Sequence, residues 1–217
     1  MITIQDIKQN DEIKALIEQG DKQLELRGYT EHNLRHVALV SKNAGNILKY
    51  LGHDEREAEL ARIAGFMHDI GNAVNREHHE NSGALLSYFI LTKMGMDIRE
   101  AAQIMSAIGN HDEGSGAPVS NISAALILAD KSDVHRSRVR NSEPVSFDIH
   151  DRVNYAVYSS SIRVEDKKAI LKLHIDTSIS PVMDYFEIFL GRMSLCRRAA
   201  EFLGLDFHLI MNDTRLL

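Results

Sequence analysis

Tryptophan is absent from this 217-residue sequence, and cysteine occurs once, at Cys196. A lone thiol forms no internal disulfide and leaves no pair for a zinc knuckle or a CxxC redox site. No stretch approaches about 18 consecutive apolar residues, the minimum for a membrane span, and the start Met1-Ile2-Thr3-Ile4-Gln5 lacks the basic and then apolar regions of a secretory signal. An excess of positive charge is missing too. Twenty-five Lys and Arg stand against 31 Asp and Glu, a formal charge of −6, so the chain as a whole has no electrostatic footprint for gripping an extended nucleic-acid duplex. Together these absences predict a cytoplasmic protein in a reducing compartment with no membrane partner.

What is present is a composition that folds: 44% hydrophobic and 26% charged residues over this length bury a sizeable core. Histidine is abundant, with 11 copies, and six of them (His32, His36, His53, His68, His78 and His79) fall in the first 79 residues. That density directs the search to metal ligands.

Up to about residue 140 the apolar residues follow a helical period. Leu34, Val37, Val40, Ala44, Ile47, Leu48 and Leu51 define one helix face, ended by Gly52. Asp54 to Ile70 forms a second helix with Leu60, Ala61, Ile63, Ala64 and Met67 inward, stopping at Gly71. Further helices are predicted at about 4 to 27, 79 to 94, 97 to 110 and 120 to 133. After Asn141-Ser142-Glu143-Pro144 the period changes. Val153, Tyr155 and Val157 alternate, as do Ala169, Leu171, Leu173 and Ile175, with Glu165-Asp166-Lys167-Lys168 as the turn of a hairpin. A helix from Ser180-Pro181 to Gly204 and a strand through Phe207, Leu209 and Met211 follow. The expected fold class is α+β, a helical bundle over 1–140 followed by a small β-β-α-β unit over 141–217. The open edge of its hairpin is a candidate homodimer contact.

Five polar positions interrupt the helical apolar pattern: His36, the pair His68-Asp69, His79, His111 and Asp130. Each lies on or at the end of a different predicted helix, and helices of a bundle can aim such groups at one interior point. Asp130 ends the apolar run Ala124-Ala125-Leu126-Ile127-Leu128-Ala129, where an unpaired carboxylate would be costly. His32, four residues before His36, precedes the apolar stripe and is expected outside the site, and His79 is preferred over His78 because Gly83 follows it.

His36 with its following stripe, then Ala64-Gly65-Phe66-Met67-His68-Asp69-Ile70-Gly71, then Ala129-Asp130, resembles the HD-domain superfamily of metal-dependent phosphohydrolases over about residues 30 to 135. The resemblance implies that His36, His68, Asp69 and Asp130 ligate one metal, and that His79 and His111 serve a second ion sharing Asp69. It implies a reaction in which a metal-activated hydroxide, with His68 and Asp69 as catalytic residues, attacks phosphorus in line. Imidazole and carboxylate donors without thiolate suit Fe, Mn, Ni, Co or Zn, one or two ions. The chain departs from the HD-GYP branch, having Asn110-His111-Asp112 for its paired histidines, Gly116-Ala117-Pro118 for its GYP run, and Asn72 after the motif.

Arginine presents planar donors matched to phosphate, so Arg76 and the basic run Lys131, Arg136, Arg138 and Arg140 are the candidate phosphate contacts. The expected partner is a small phosphate ester, a nucleotide or related compound. Two other readings stand beside hydrolysis: a di-iron oxygenase on the same scaffold, and a non-catalytic regulatory protein that binds a metal and a nucleotide.

Overall fold

The computed structural model describes residues 1–140 and 148–217. Nine α-helices and a four-stranded sheet are present among them: α1 Ile4–Gln9, α2 Asp11–Leu26, α3 Leu34–Tyr50, α4 Glu55–Met67, α5 His79–Lys93, α6 Ile98–Gly109, α7 Asn121–Lys131, α8 Ile149–Ala156, β1 Val157–Glu165, β2 Lys168–Ile175, α9 Val182–Phe202, β3 Asp206–Met211 and β4 Thr214–Arg215. The α+β class read from the sequence is what the chain adopts. Six of the helix starts have the same chemical cause. Asn10, Asn33, Asp54, Asp97, Ser120 and Asp148 accept hydrogen bonds from the first free N–H groups of the helices they precede.

Two details differ from the periodicity reading. The expected first helix breaks at Asn10, whose extended backbone ends α1 and whose side chain caps α2. Residues 153–156, read as strand from the alternation of Val153 with Tyr155, instead belong to α8. Asp148 caps that helix, and the buried Val153 and Ala156 lie three residues apart on one of its faces. The hairpin itself forms as expected, turning at Asp166 and Lys167, both in the left-handed region. Its strand β2 pairs in parallel with β3 through the crossover helix α9, and the short β4 continues the sheet in the order β1-β2-β3-β4.

The expected division after residue 140 meets residues 141–147, which lie outside the described residues. Elsewhere one apolar core is continuous, taking in Ile4 at one end of the chain and Met211 at the other. α7 is at its centre, buried on every side from Ile122 to Ala129, with α3, α4, α6 and α9 packed around it. Close approach of α3 and α4 depends on Gly65, where a Cβ would lie 2.8 Å from the Ser41 Cα. No helix among the described residues is long and apolar enough to cross a membrane.

Candidate metal centre

Five helix ends converge on one point. His36 is in the first turn of α3, where Asn33 accepts from its backbone N–H; His68 and Asp69 follow the end of α4; His79 opens α5; His111 follows α6; Asp130 is in the last turn of α7. The turn between α4 and α5 is held tight by glycine. A Cβ on Gly71 would lie 1.9 Å from the His79 carbonyl oxygen and 2.5 Å from the Gly83 nitrogen, so only glycine lets α5 bring His79 beside Asp69. His78, one residue earlier, points to solvent with 83% of its side chain exposed, whereas His79 is buried.

The hydrogen bonds fix how each imidazole faces the centre. Nδ1 of His68 lies 2.9 Å from the Gly65 carbonyl, Nδ1 of His111 2.6 Å from the Ile108 carbonyl and Nδ1 of His79 3.1 Å from the Arg76 carbonyl. A carbonyl only accepts, so each Nδ1 carries the proton and donates. His36 Nδ1 donates in the same way to Asp133 Oδ2 at 2.8 Å. In the neutral tautomer all four rings therefore carry an unprotonated Nε2.

For His36 and His68 these lone pairs meet. Their Nε2 atoms are 3.3 Å apart, and Asp130 Oδ1 lies 3.4 Å from the first and 3.5 Å from the second. Asp69 Oδ2 lies 3.5 Å and 3.3 Å from the same two nitrogens, is buried, and accepts no hydrogen bond among the described residues. Its other oxygen, Oδ1, lies 3.5 Å from His79 Nε2 and accepts from the Asn72 amide at 3.0 Å. Neighbouring donors on one cation with bonds of about 2.1 Å sit roughly 3 to 3.5 Å apart. The residues present thus fit a metal ion, and two sets of them lie within bonding reach of one another: His36 with His68 and Asp130, and His68 with Asp69 and His111.

Electrostatics say the same. Burial depresses the His68 imidazole, yet the Asp69 and Asp130 carboxylates outweigh it and raise the group to about 10. Burial works against ionisation of both carboxylates too. The His68 charge beside Asp69 and the Lys131 ammonium beside Asp130 nonetheless hold them well below the usual range. The cluster demands positive charge at its centre. His111 is the reverse case: burial, with the His68 charge adding to it, pushes it down to about 3, and burial lowers His79 as well. Both are neutral donors at neutral pH.

The charged residues around the centre are unequal in freedom. Lys131 is buried and spans Asp130 Oδ2 at 2.8 Å and Glu113 Oε2 at 2.6 Å. Arg138 is buried and donates to the Glu31 carbonyl, the Asp133 carbonyl and His32 Nε2. Arg136 lies over the rings of Tyr155 and Tyr158, and Arg140 pairs with Asp21; neither lines the cleft at the centre. Arg76 does line it, lying over the Tyr29 ring at 5.9 Å, with polar contacts that are long, 3.4 Å to Asn72 Oδ1 and 3.5 Å to His79 Nε2.

Four participants escaped the sequence reading. Asp133, which orients His36, follows Asp130 by three residues, just past the end of α7, a spacing that would have been a usable signal. His32 was expected outside but lines the cleft, because Arg138 draws its ring inward. Glu113 and Arg192 of α9 pair at 2.9 Å across 79 residues of chain, for which no local pattern exists.

Residues 33–137 match the family model of the HD domain. Over 186 residues the chain is 25% identical to an uncharacterized protein of Methanocaldococcus jannaschii, covering 74% of this chain and 69% of that one. It is 33% identical over 102 residues to ribonuclease Y of Onion yellows phytoplasma and 35% identical over 105 residues to ribonuclease Y of Lawsonia intracellularis. These matches take in 47% and 48% of this chain but only 18% of either relative. Among solved structures, one described as a predicted HD superfamily hydrolase from an uncultured Thermotogales bacterium is 28% identical, covers 57% of this chain and 67% of its own, and superposes with a TM-score of 0.46.

Proposed function

Residues 33–137 of this chain are an HD domain, and on that premise we propose that the protein is a metal-dependent phosphohydrolase cleaving the ester of a small phosphorylated molecule, a nucleotide or a related compound. In this reading His36, His68, Asp69 and Asp130 hold one divalent ion, and His79 and His111 hold a second that shares Asp69. The observation that supports it most is the pair of facing lone pairs on His36 and His68, flanked by two buried carboxylates.

The donor set is nitrogen and carboxylate oxygen with no thiolate, which suits Fe, Mn, Co, Ni or Zn. Such ions supply Lewis acidity toward a phosphoryl oxygen and lower the pKa of water. The chain's own contribution is orientation. Three backbone carbonyls and Asp133 hold the four imidazoles in one tautomer. Asp69 spans both ligand groups with its two oxygens, and Lys131 balances Asp130 from the side away from His36. His79 and His111 are kept unprotonated by burial, so no proton competes for their Nε2 at neutral pH.

The test is elemental analysis of protein purified without a chelating tag, beside Asp69→Ala, followed by a phosphate-release screen over phosphate esters. One or two ions per chain and metal-dependent release, both lost in Asp69→Ala, are expected. Retention of full activity in that variant, or no ion bound after adding Mn, Fe, Co, Ni or Zn, overturns the reading.

A further inference from the structure

We propose that Arg192 of α9, which lies outside the HD domain, and Arg76 are the two residues that hold the substrate's phosphate, so that the C-terminal unit completes the substrate site. What happens to that phosphate rests on the hydrolase reading above; its binding does not.

A phosphate contact needs a donor not already spent on the protein. The Lys131 ammonium is shared between two carboxylates, and the Arg138 guanidinium donates from Nε, Nη1 and Nη2 to three protein acceptors. Arg136 is stacked away from the cleft. Of the cations that line the cleft, two guanidinium groups remain. Arg76 makes two long polar contacts and lies over the Tyr29 ring at 5.9 Å, which spends none of its N–H donors, and Arg192 is engaged by Glu113 through Nε, with neither Nη spent on a carboxylate among the described residues.

Both residues line the polar cleft that contains Asp69, His79, His111 and Asp130, and both also line a neighbouring cavity of about 470 Å³. They stand where the two spaces meet. A phosphate at that junction reaches the ligand cluster on one side and leaves its organic half in the larger cavity, against the half-exposed ring of Tyr29 and the polar Asp151 and Asn154.

Arg192 is also built to present its Nη atoms. The Phe189 ring lies 4.4 Å beneath its guanidinium carbon, and Glu113 fixes its Nε edge. A planar fork held at one edge and one face offers its remaining donors in a set direction, the geometry that bidentate phosphate recognition uses. Glu113 is tied in turn to Lys131 and so to Asp130, which couples the position of Arg192 to the ligand cluster.

Inorganic phosphate is the probe, with binding measured by titration calorimetry on the metal-loaded full chain. Arg192→Gln and Arg76→Gln are each expected to weaken phosphate about tenfold to a hundredfold, the worth of a charge-assisted hydrogen bond, while metal content stays at the parent's level. Arg192→Lys, which keeps the charge and loses the fork, is expected to fall between. Arg136→Gln is expected to bind as the parent does. Glu113→Gln separates charge from bracing: its amide oxygen can still accept from Arg192 Nε while the competing negative charge is gone, so phosphate binding is expected to hold or tighten.

Parent-like binding by Arg192→Gln, equal weakening by Glu113→Gln and Arg192→Gln, or no phosphate binding by the parent overturns the proposal. Failure of the hydrolase reading shows separately, as a parent that binds phosphate through Arg192 yet holds no metal or turns over no ester.

Discussion

Asp133 touches none of the other ligand-cluster side chains except His36, and its replacement by asparagine tests whether the cluster is a metal site at all. Its carboxylate accepts the Nδ1–H of His36 at 2.8 Å from a position that is only 2% exposed. Burial opposes its ionisation, but the His36 hydrogen bond and the Arg138 charge drive it well below the ordinary carboxylate range. An anionic acceptor on Nδ1 makes Nε2 more basic and locks the ring's direction. Removing such a partner behind a metal-bound imidazole costs about tenfold to a hundredfold in metal affinity, or about 1.4 to 2.7 kcal/mol. Exchanging a charged acceptor, worth about 1.5 to 3 kcal/mol, for a neutral amide oxygen, worth about 0.5 to 1.5, loses about 1 to 1.5 kcal/mol and reaches the lower part of that range independently.

Asparagine is preferred to alanine because it keeps the shape. Both replacements remove the negative charge facing Arg35 at 3.1 Å and the buried Arg138, but alanine also removes the oxygen that accepts from Arg35 and His36, and a buried donor left unsatisfied costs about 1 to 3 kcal/mol in stability. The assay is competition between Asp133→Asn and a chelator of known affinity, with circular dichroism confirming the fold. A folded variant that holds metal within twofold of the parent refutes the argument, since His36 would then not be a ligand that depends on its orientation.

Three further outcomes are expected. Gly71→Ala places a methyl 1.9 Å from the His79 carbonyl oxygen; the cost should reach or exceed about 3 kcal/mol, seen as a Tm lower by roughly 10 °C, and an unchanged Tm would contradict the close packing of α5 on the motif turn. In metal-stripped protein, His68 is raised to about 10 from an unfolded value of about 6.5, so its proton stabilises the fold fully below about 6.5 and that contribution is lost as pH rises toward 10. The melting temperature of chelator-treated protein should fall across that window while metal-loaded protein, with an ion in the proton's place, resists; parallel decline in both forms would count against the ligand role of His68. Cys196 is buried, and burial pushes its thiol up to about 12, so a thiol reagent at pH 8 should label it only after unfolding in denaturant; labelling of the native protein at the unfolded rate would contradict its place on the inward face of α9.

Much was determined by the sequence alone because the physics behind it is local. Apolar spacing and capping residues define α3 to α7 within a residue or two, save that α4 ends at Met67 and not at the expected Ile70, since helix starts at Asn33, Asp54, Asp97 and Ser120 need only a side chain and the next turn of backbone. The polar residues standing out from that spacing, His36, His68, Asp69, His79, His111 and Asp130, are the ones that converge, because a polar group at a core position must find partners there. Where local signals conflicted, as at Val153 and Tyr155, a cap at Asp148 and burial against the bundle decided for helix over the alternation.

What tertiary structure alone decided is which groups are spent and which are free. His36 and Asp133 are 97 residues apart, Arg138 and His32 106, and Arg192 and Glu113 79. No periodicity encodes such pairings, because each depends on how whole helices pack. Four of the five basic residues marked in the sequence as phosphate contacts are engaged by the protein itself or turned from the cleft, while an arginine on α9 that nothing in its neighbourhood singles out stands beside the ligand cluster. A charge's availability belongs to its surroundings, and those exist only once the chain has folded.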